Sequence, residues 1–492
     1  MQLTSAQTDR ACGVLLGGAC GDALGAGYEF GSAPLPPSGT PPTMIGGGLG
    51  GSAPGEWTDD TAQAYAIAEV AATGADLRSD TALRAIAQRF ADWFADGPAD
   101  VGVQTRAVLA AAGRQPTVAS MRAAAARVHE RTGRSAGNGS LMRTGAAALA
   151  HLDDPAALVE AAMAVSALTH WDRRAGEACA LWCLFIRHAV LTGSLDGVRA
   201  NLAHLPAGSQ EFWAERLDEA EAQDPATFRP NGWAVRALQA AWSAIVHTPV
   251  PAEDPAHGSF ACLQLQHGLE TAVRIGDDTD TVAAIAGALL GARWGVSAVP
   301  SAWRMRVHGW PGRRARDLVD LALLTVRGGH PDSEGWPGCD RVDYAGWKGV
   351  ESHAVHPHDP GVHLSGVGAL DDSAMDVDAV VSLCRVGTVQ VSPALRDSHV
   401  DFRLLDTVAE DNPNLAFVLD DAARAVARLR GEGKTVLLHC VAAQSRTPSV
   451  AIRYSMLRGV PFERAVADVR RALPHCSPKP LFLDALESFG VE

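Results

Sequence analysis

Two short acidic stretches, GEWTDDTA and GDDTDTVAA, constrain this chain more than any other part of it. The first sets Thr58, Asp59 and Asp60 side by side. The second sets Asp278, Thr279, Asp280 and Thr281 side by side, more than two hundred residues later. Each stands at the mouth of an alanine-rich apolar run, AQAYAIAEVAA and VAAIAGALLGARW, and both runs read as buried helices begun by acceptor side chains. One such cluster is an ordinary cap. Two with the same chemistry, separated by most of a domain, are expected to be halves of one site. Four carboxylates in a small space raise one another's proton affinity unless something offsets their charge. One or two divalent cations would do so, and oxygen-only ligands favour hard ions such as Mg²⁺ or Mn²⁺ over zinc.

With 492 residues the chain exceeds one ordinary core, so two or three domains are expected. Apolar residues at 47% and charged residues at 20% describe a soluble globular composition. A formal charge of −14 argues against nucleic acid or an anionic membrane as partner of the whole surface. The nine cysteines form no CxxC pair, which points to reduced thiols and a cytoplasmic setting. The opening MQLTSAQTDRACG lacks a basic segment followed by an apolar one, so no secretory signal is expected. No uncharged apolar run reaches the roughly 18 residues of a membrane span.

In chain order, GVLLGGACGDALGAGYEF is a small-residue helix able to pack very closely, with Asp22 and Glu29 its only acids. The Gly/Pro-rich stretch that follows reads as a mobile loop, a lid or a plain surface loop, ending at Trp57. From Thr61 to about Gly329 the pattern is helical throughout, without a repeat signature, and predicts a globular all-α domain. Two breaks carry unusual residues. One is ADVGVQTR, with Asp100 at a helix entry. The other is SAGNGSLMRTGA, where Asn138, Gly139, Ser140 and Arg143 form a Gly-flanked turn of the kind that holds phosphate on backbone amides. His170 reads as a packing histidine and Asp22 as a buried structural carboxylate.

Taken together, GDALGAGYEF, WTDDT, DVGVQT, GNGSLMR, THWDRRAGEACAL and GDDTDTVAA occur in the order seen in ADP-ribosylglycohydrolases, with the dinitrogenase-reductase-directed bacterial members the nearest type. The resemblance covers roughly residues 10 to 300. It implies an all-α fold and two Mg²⁺ or Mn²⁺ ions held by Thr58, Asp59, Asp60, Asp278, Asp280 and Thr281. It also implies that Asp100 lies near the scissile ribose and that Gly139–Ser140 faces the diphosphate, with Glu29 and Asn138 as further substrate contacts. Cleavage of an N-glycosidic bond to a guanidinium develops positive charge on the ribose, and one of the ligand carboxylates or Asp100 would assist proton transfer. One departure is Asp277, where the family has glycine.

After Gly329 a stretch rich in Gly, Pro, His and charge reads as a junction, and its His353, His356, His358 and His363 as solvated loop residues. Beyond it GVHLSG, DAVVSLCRV, VDFRLLD and KTVLLHC read as strands, and three amphipathic runs as helices. This is an α/β layout with a mostly parallel central sheet. In HCVAAQSRTPS, Cys440 and Arg446 enclose Val441, Ala442, Ala443, Gln444 and Ser445 between a strand and a helix. Such a loop can curl its amides around a phosphoryl group, with Arg446 as a bidentate partner and Cys440 as thiolate nucleophile. This resembles the signature of dual-specificity, tyrosine-phosphatase-like enzymes over about residues 360 to 490. The resemblance implies Asp406 as general acid, Asp411 as its reserve, and Thr447 as the hydroxyl that helps the thiolate leave. The departure here is Ala443, usually glycine.

The expected protein is therefore multidomain. Residues 1–330 form an all-α ADP-ribosylglycohydrolase-like domain, 331–358 a linker, and 359–492 a phosphatase-like α/β domain that needs no cofactor. Its partners would be an ADP-ribosylated protein or small ADP-ribosyl compound and a phosphorylated substrate. Three alternatives remain at this stage: an ADP-ribose reader, a phosphatase whose larger domain selects substrate, and a scaffold.

Overall fold

The computed structural model describes residues 1–372 and 375–490. The first helix, Ser5–Gly25, starts at a reciprocal cap: the Thr4 hydroxyl accepts from the Gln7 amide, and the Gln7 side chain accepts from the Thr4 amide. This helix and Thr279–Trp294 form the axis of the helical part. Their contact explains the small-residue run. A Cβ on Gly13 would lie 2.2 Å from the Gly291 carbonyl oxygen, one on Gly17 2.3 Å from that of Gly287, and one on Gly21 2.1 Å from that of Ala283. The two backbones touch, and any side chain at these positions would force them apart. At Gly25 the same approach meets the Asp280 Cα at 2.5 Å, so the glycine stripe fixes where the first helix delivers Asp22 relative to Asp280.

Asp59–Ala71, Gly145–Ala150, Arg173–Thr192, Ala234–Val246, Gln264–Ile275 and Ala315–Val326 pack around this axis. Arg173–Thr192 is long and apolar enough to cross a membrane by composition, yet it is mostly buried inside the protein. The buried alanine and leucine positions of these helices merge into one core.

The α/β part is built on a five-stranded sheet ordered His353–His356, Asp359–Ser365, Val436–His439, Ala379–Ser382, His399–Asp401. The first pair is antiparallel and the other three pairs are parallel. The helices Leu415–Gly431, Arg446–Leu457, Phe462–Ala472 and Pro480–Glu487 accompany it, the last unforeseen in the sequence. Two expectations need correction. The segment 353–358 is not linker: it supplies the edge strand and the turn of a hairpin with Asp359–Ser365. Its histidines are accordingly not all solvated. His356 is buried with Nε2 3.1 Å from the Ala451 carbonyl, and His358 sits between Ser455 Oγ at 3.0 Å and Asp468 Oδ2 at 3.1 Å. VDFRLLD is a strand only as far as Asp401, because the Asn412 side chain accepts from the Leu405 amide and draws the chain into a loop.

The two parts share a packed boundary. Ser301 donates its amide and hydroxyl to the Asp421 carboxylate, both at 2.7 Å. Asn414 Nδ2 donates to the Trp294 carbonyl at 2.6 Å and to Ser297 Oγ at 2.8 Å. Phe260 packs edge-on against Phe417 and tilted against Phe489, with ring centroids 5.6 and 6.1 Å away.

Candidate functional site

The two acidic stretches meet. Thr58 stands at the cap position of Asp59–Ala71, with Asp59 and Asp60 in its first turn. Asp278 stands at the cap position of Thr279–Trp294, with Asp280 in its first turn. Both helix N-termini carry partial positive charge, which favours carboxylates there. Asp22, from the first helix, accepts from the amides and hydroxyls of both Thr58 and Thr61, at 2.6 to 3.1 Å. The Thr58 hydroxyl lies 3.1 Å from Asp60 Oδ2 and the Thr281 hydroxyl 3.4 Å from the same atom. Carboxylate oxygens of Asp22, Asp60 and Asp280 fall within 4.8 Å of one another, as do those of Glu29, Asp100 and Asp280.

Burial is the main influence on this group, and neighbouring charge adds to it. Burial, then Asp100, pushes Asp59 up to about 8. The same two causes bring Glu29 to about 8. Burial takes Asp22 to about 6 despite its threonine hydrogen bonds. Burial followed by adjacent carboxylates drives Asp60 and Asp280 well above the usual range. Asp60 Oδ1 is buried and has no hydrogen-bond partner among the described residues. An all-oxygen donor set with an orphaned carboxylate oxygen fits hard divalent cations, whose charge reverses the direction of these shifts.

Second partners hold the outer carboxylates. Asp278 accepts from Asn138 Nδ2 at 2.8 Å, and its amide donates to Asn231 Oδ1 at 3.0 Å. Asp59 Oδ2 accepts from Gln63 Nε2 at 3.0 Å and from the Gly102 amide at 3.3 Å. Gln63 in turn accepts from the buried Arg143, whose other terminal nitrogen donates to Thr169 Oγ1 at 2.6 Å. Arg143 also lies over the Phe90 ring, 4.4 Å from its centroid. It therefore braces the core behind Asp59 and is not aimed at a phosphate from the turn. Ser140 is a similar case. Its hydroxyl is buried against Ser166 Oγ at 2.9 Å and Cys179 at 3.4 Å, so the Asn138–Ser140 turn can offer an anion backbone but not that hydroxyl. Gly139 packs on the ring of the buried His170, whose Nδ1 lies 2.8 Å from Thr169 Oγ1.

Asp22 and Gln63 are site components that the sequence reading did not assign. Gln63 carried a signal, since position i+4 from Asp59 shares its helix face.

The Gly/Pro-rich stretch is structured rather than loose. Gly47 and Ser52 exchange backbone hydrogen bonds, the Leu49 amide donates to the Glu29 carboxylate, and Arg274 donates to the carbonyls of Pro36, Pro37 and Thr40. A Cβ on Gly50 would lie 3.2 Å from that of Asp100. The loop tip thus borders the Glu29–Asp100 side of the cluster. Asp277 has φ of 59°, a left-handed value that suits the family's glycine, and Arg229 pairs with its carboxylate at 3.0 Å.

In the α/β part, Cys440 follows the central strand and is buried, as are Val441, Ala442, Ala443 and Ser445, while Gln444 is exposed. Ala443 has φ of 52°, in the left-handed region where glycine is relaxed. Arg446 opens the next helix. Its Nη1 donates to the carbonyls of Leu383 at 2.7 Å and Leu404 at 3.4 Å, and its Nε is buried without a partner among the described residues. The Thr447 hydroxyl reaches the Ser365 carbonyl at 3.4 Å. Lys479, which the sequence reading overlooked, joins this loop to the next. Its amide donates to Ser445 Oγ at 3.3 Å and its Nζ to the Asp406 carbonyl at 2.7 Å. Hydrogen bonds from the Thr407 and Ser5 hydroxyls hold the Asp411 carboxylate below the usual range, which unsuits it as a proton donor.

Comparison with known proteins agrees with both halves. The ADP-ribosylglycohydrolase family model matches residues 3–332. The chain is 30% identical over 329 residues to the ADP-ribosyl-[dinitrogen reductase] glycohydrolase of Rhodospirillum rubrum, covering 65% of this chain and 97% of that protein. It is 28% identical over 334 residues to the ADP-ribosylarginine hydrolase Tri1 of Pseudomonas putida, covering 64% and 79%. The C-terminal part is 24% identical over 131 residues to dual specificity protein phosphatase 1 of Arabidopsis thaliana, covering 26% of this chain and 64% of that one. Among solved structures, an ADP-ribosylglycohydrolase-related protein complex matches 66% of this chain and all of its own at TM-score 0.47 and 27% identity. Human DUSP28 matches 27% of this chain and 88% of its own at TM-score 0.24 and 24% identity. With a phosphatase-like α/β part following its helical domain, the chain belongs to the ADP-ribosylglycohydrolase family.

Proposed function

We propose that the helical part cleaves the glycosidic bond of ADP-ribosyl-arginine, on a protein or as a small compound, and that the α/β part is a cysteine-dependent phosphatase. The observation that carries the first activity is the convergence of Asp22, Asp60 and Asp280, with Glu29 and Asp100 alongside. Arginine as acceptor is supported by the Pseudomonas relative, an ADP-ribosylarginine hydrolase.

Thr58, Asp59, Asp60, Asp278, Asp280 and Thr281, joined by Asp22, would hold two cations, Mg²⁺ or Mn²⁺. When bound, such ions orient the ribose hydroxyls and make a nearby water more acidic. The chain's own residues then divide the work. Asn138 and Asn231 hold Asp278, and Gln63 holds Asp59, so the carboxylates are fixed before substrate arrives. As the C1″–N bond breaks, the guanidine takes a proton from the Glu29–Asp100 set, which lies outside the named cation ligands. As the water oxygen bonds to C1″, its proton returns to that set. The loop tip at Leu49 borders these groups. Release of free ADP-ribose from ADP-ribosyl-arginine, dependent on Mn²⁺ or Mg²⁺ and lost in Asp280→Asn, tests this reading.

For the second activity, Cys440 Sγ bonds to phosphorus while the P–O bond to the leaving group breaks, and Asp406 gives that oxygen its proton. Water then attacks the cysteinyl phosphate, Asp406 takes the water proton, and the S–P bond breaks to restore the thiolate, with the Thr447 hydroxyl at hand. The loop amides and Arg446 neutralise the phosphoryl oxygens. Hydrolysis of an aryl phosphate by the full chain, abolished in Cys440→Ser, is the test.

A further inference from the structure

The loop that carries Asp406 is built partly out of the other domain. It leaves the sheet after Asp401 and is closed on itself by Asn412, which accepts from the Leu405 amide at 2.8 Å and donates to the carbonyls of Leu405 at 3.0 Å and Val408 at 3.1 Å. On one side it abuts the phosphate loop, through Arg446 on the Leu404 carbonyl and Lys479 on the Asp406 carbonyl. On the other side it is fastened to the helical part, and Arg403 is the fastening. Its Nη1 donates to the Asp411 carbonyl at 3.0 Å, its Nη2 to the Ser5 carbonyl at 2.6 Å, and its Nε lies 3.6 Å from Asp9 Oδ1. Asp9 is wholly buried and also receives the Ser297 amide at 3.2 Å and hydroxyl at 2.6 Å. A buried carboxylate strongly favours keeping its cation. One guanidinium therefore links the two ends of the acid loop, Arg403 and Asp411, to Ser5 and Asp9 in the first two turns of the first helix.

We propose that Arg403 is a positioning residue for the phosphatase reaction, holding Asp406 in place to protonate the leaving group by tying its loop to the helical domain. This rests on the phosphatase reading above, and it supplies a reason for the two domains to share one chain: proton donation in the second is set by docking on the first. Arg403 touches neither phosphoryl group nor nucleophile. Its effect runs only through where Asp406 sits.

The distinguishing measurement is the dependence on leaving group. When the P–O bond breaks toward a phenolate, the departing oxygen needs the Asp406 proton. Toward a dinitrophenolate, already stable as an anion, it does not. Full-length wild type, Arg403→Ala, Arg403→Lys and Asp406→Asn would each be assayed on phenyl phosphate and on 2,4-dinitrophenyl phosphate for kcat/KM, which reads only the steps up to cleavage of the ester P–O bond and not the later hydrolysis of the cysteinyl phosphate. General acids contribute at least about 100-fold. Arg403→Ala is expected to lose about 10- to 100-fold on phenyl phosphate while staying within about 3-fold on the dinitrophenyl ester. Arg403→Lys, still able to pair with Asp9, is expected to recover part of the loss. Partial unfolding would lower both esters together, so the ratio reads positioning alone. An equal loss on both esters, or no loss on either, overturns the proposal while leaving the phosphatase intact. Absence of Cys440-dependent turnover of both esters by wild type overturns the phosphatase reading and the proposal with it.

Discussion

The Thr281 hydroxyl lies 3.4 Å from Asp60 Oδ2, across 221 residues of chain. That contact joins the first turns of two helices, and on the far side of the same carboxylate Asp60 Oδ1 has no hydrogen-bond partner among the described residues. The site is thus assembled by tertiary packing of the Ser5–Gly25 and Thr279–Trp294 helices, and its charge is left for a cation to balance.

Cation binding should stabilise the fold. A ligand at 100 times its Kd adds about 2.7 kcal/mol. Calorimetry should show Mn²⁺ or Mg²⁺ raising Tm of wild type and leaving that of an Asp60→Asn, Asp280→Asn double variant unmoved. In chelator the double variant should melt no lower than wild type, since it removes two carboxylates whose charged forms are opposed first by burial and then by neighbouring carboxylates.

Asp22→Ala should cost about 3 kcal/mol, because it strips the Thr58 and Thr61 amides and hydroxyls of their common acceptor. Denaturant midpoints check the stability loss. Glycohydrolase activity should fall with it, because Thr58 to Asp60 would no longer be anchored to the first helix.

Much of this was legible in the sequence, and the limits have physical causes. The paired acidic stretches and the Cys440–Arg446 loop could be read because each is a local run at a helix start. In the sequence Asp22 reads as a structural carboxylate, and its acceptance from the amides and hydroxyls of Thr58 and Thr61 fits that role. Its membership of the Asp60–Asp280 cluster comes from the glycine contact between two helices, which no local pattern encodes. Ser140 and Arg143 sit in a motif that looks solvent-facing, yet their side chains complete hydrogen bonds inside the core. The edge strand His353–His356 was hidden because it is short, rich in histidine and paired only on one side.

The two departures from family glycine fall on two of the three non-glycine residues with positive φ among the described residues. Left-handed backbone at alanine costs about 1–2 kcal/mol, so Ala443→Gly should stabilise the chain by about 1 kcal/mol and quicken aryl phosphate turnover. Asp277→Gly should be close to neutral in stability, because aspartate tolerates this conformation and its pairing with Arg229 is lost in exchange. Parallel thermal melts of the two variants make the comparison.

The α/β part should be acid-sensitive. Burial lowers His439 to about 3, and His356 and His399 to about 4. Each is neutral in the native state and protonates more readily once unfolded. The stability each contributes is complete above the unfolded value near 6.5 and declines as pH falls toward the native values, by about 1.4 kcal/mol per pH unit per histidine. His399→Gln should therefore lose stability relative to wild type at pH 7.5, through the Ser382 Oγ contact at 2.9 Å, and should close that gap as pH falls to 5. Urea melts across this range provide the check.

The most direct test is to supply ADP-ribosyl-arginine with Mn²⁺ and measure free ADP-ribose by chromatography, using wild type, Asp60→Asn and Asp280→Asn of matched fold. Metal-dependent release by wild type, reduced at least about 100-fold in both variants, is the predicted result. Release that survives either substitution, or that proceeds equally in chelator, would contradict a site formed where the two acidic helix starts meet.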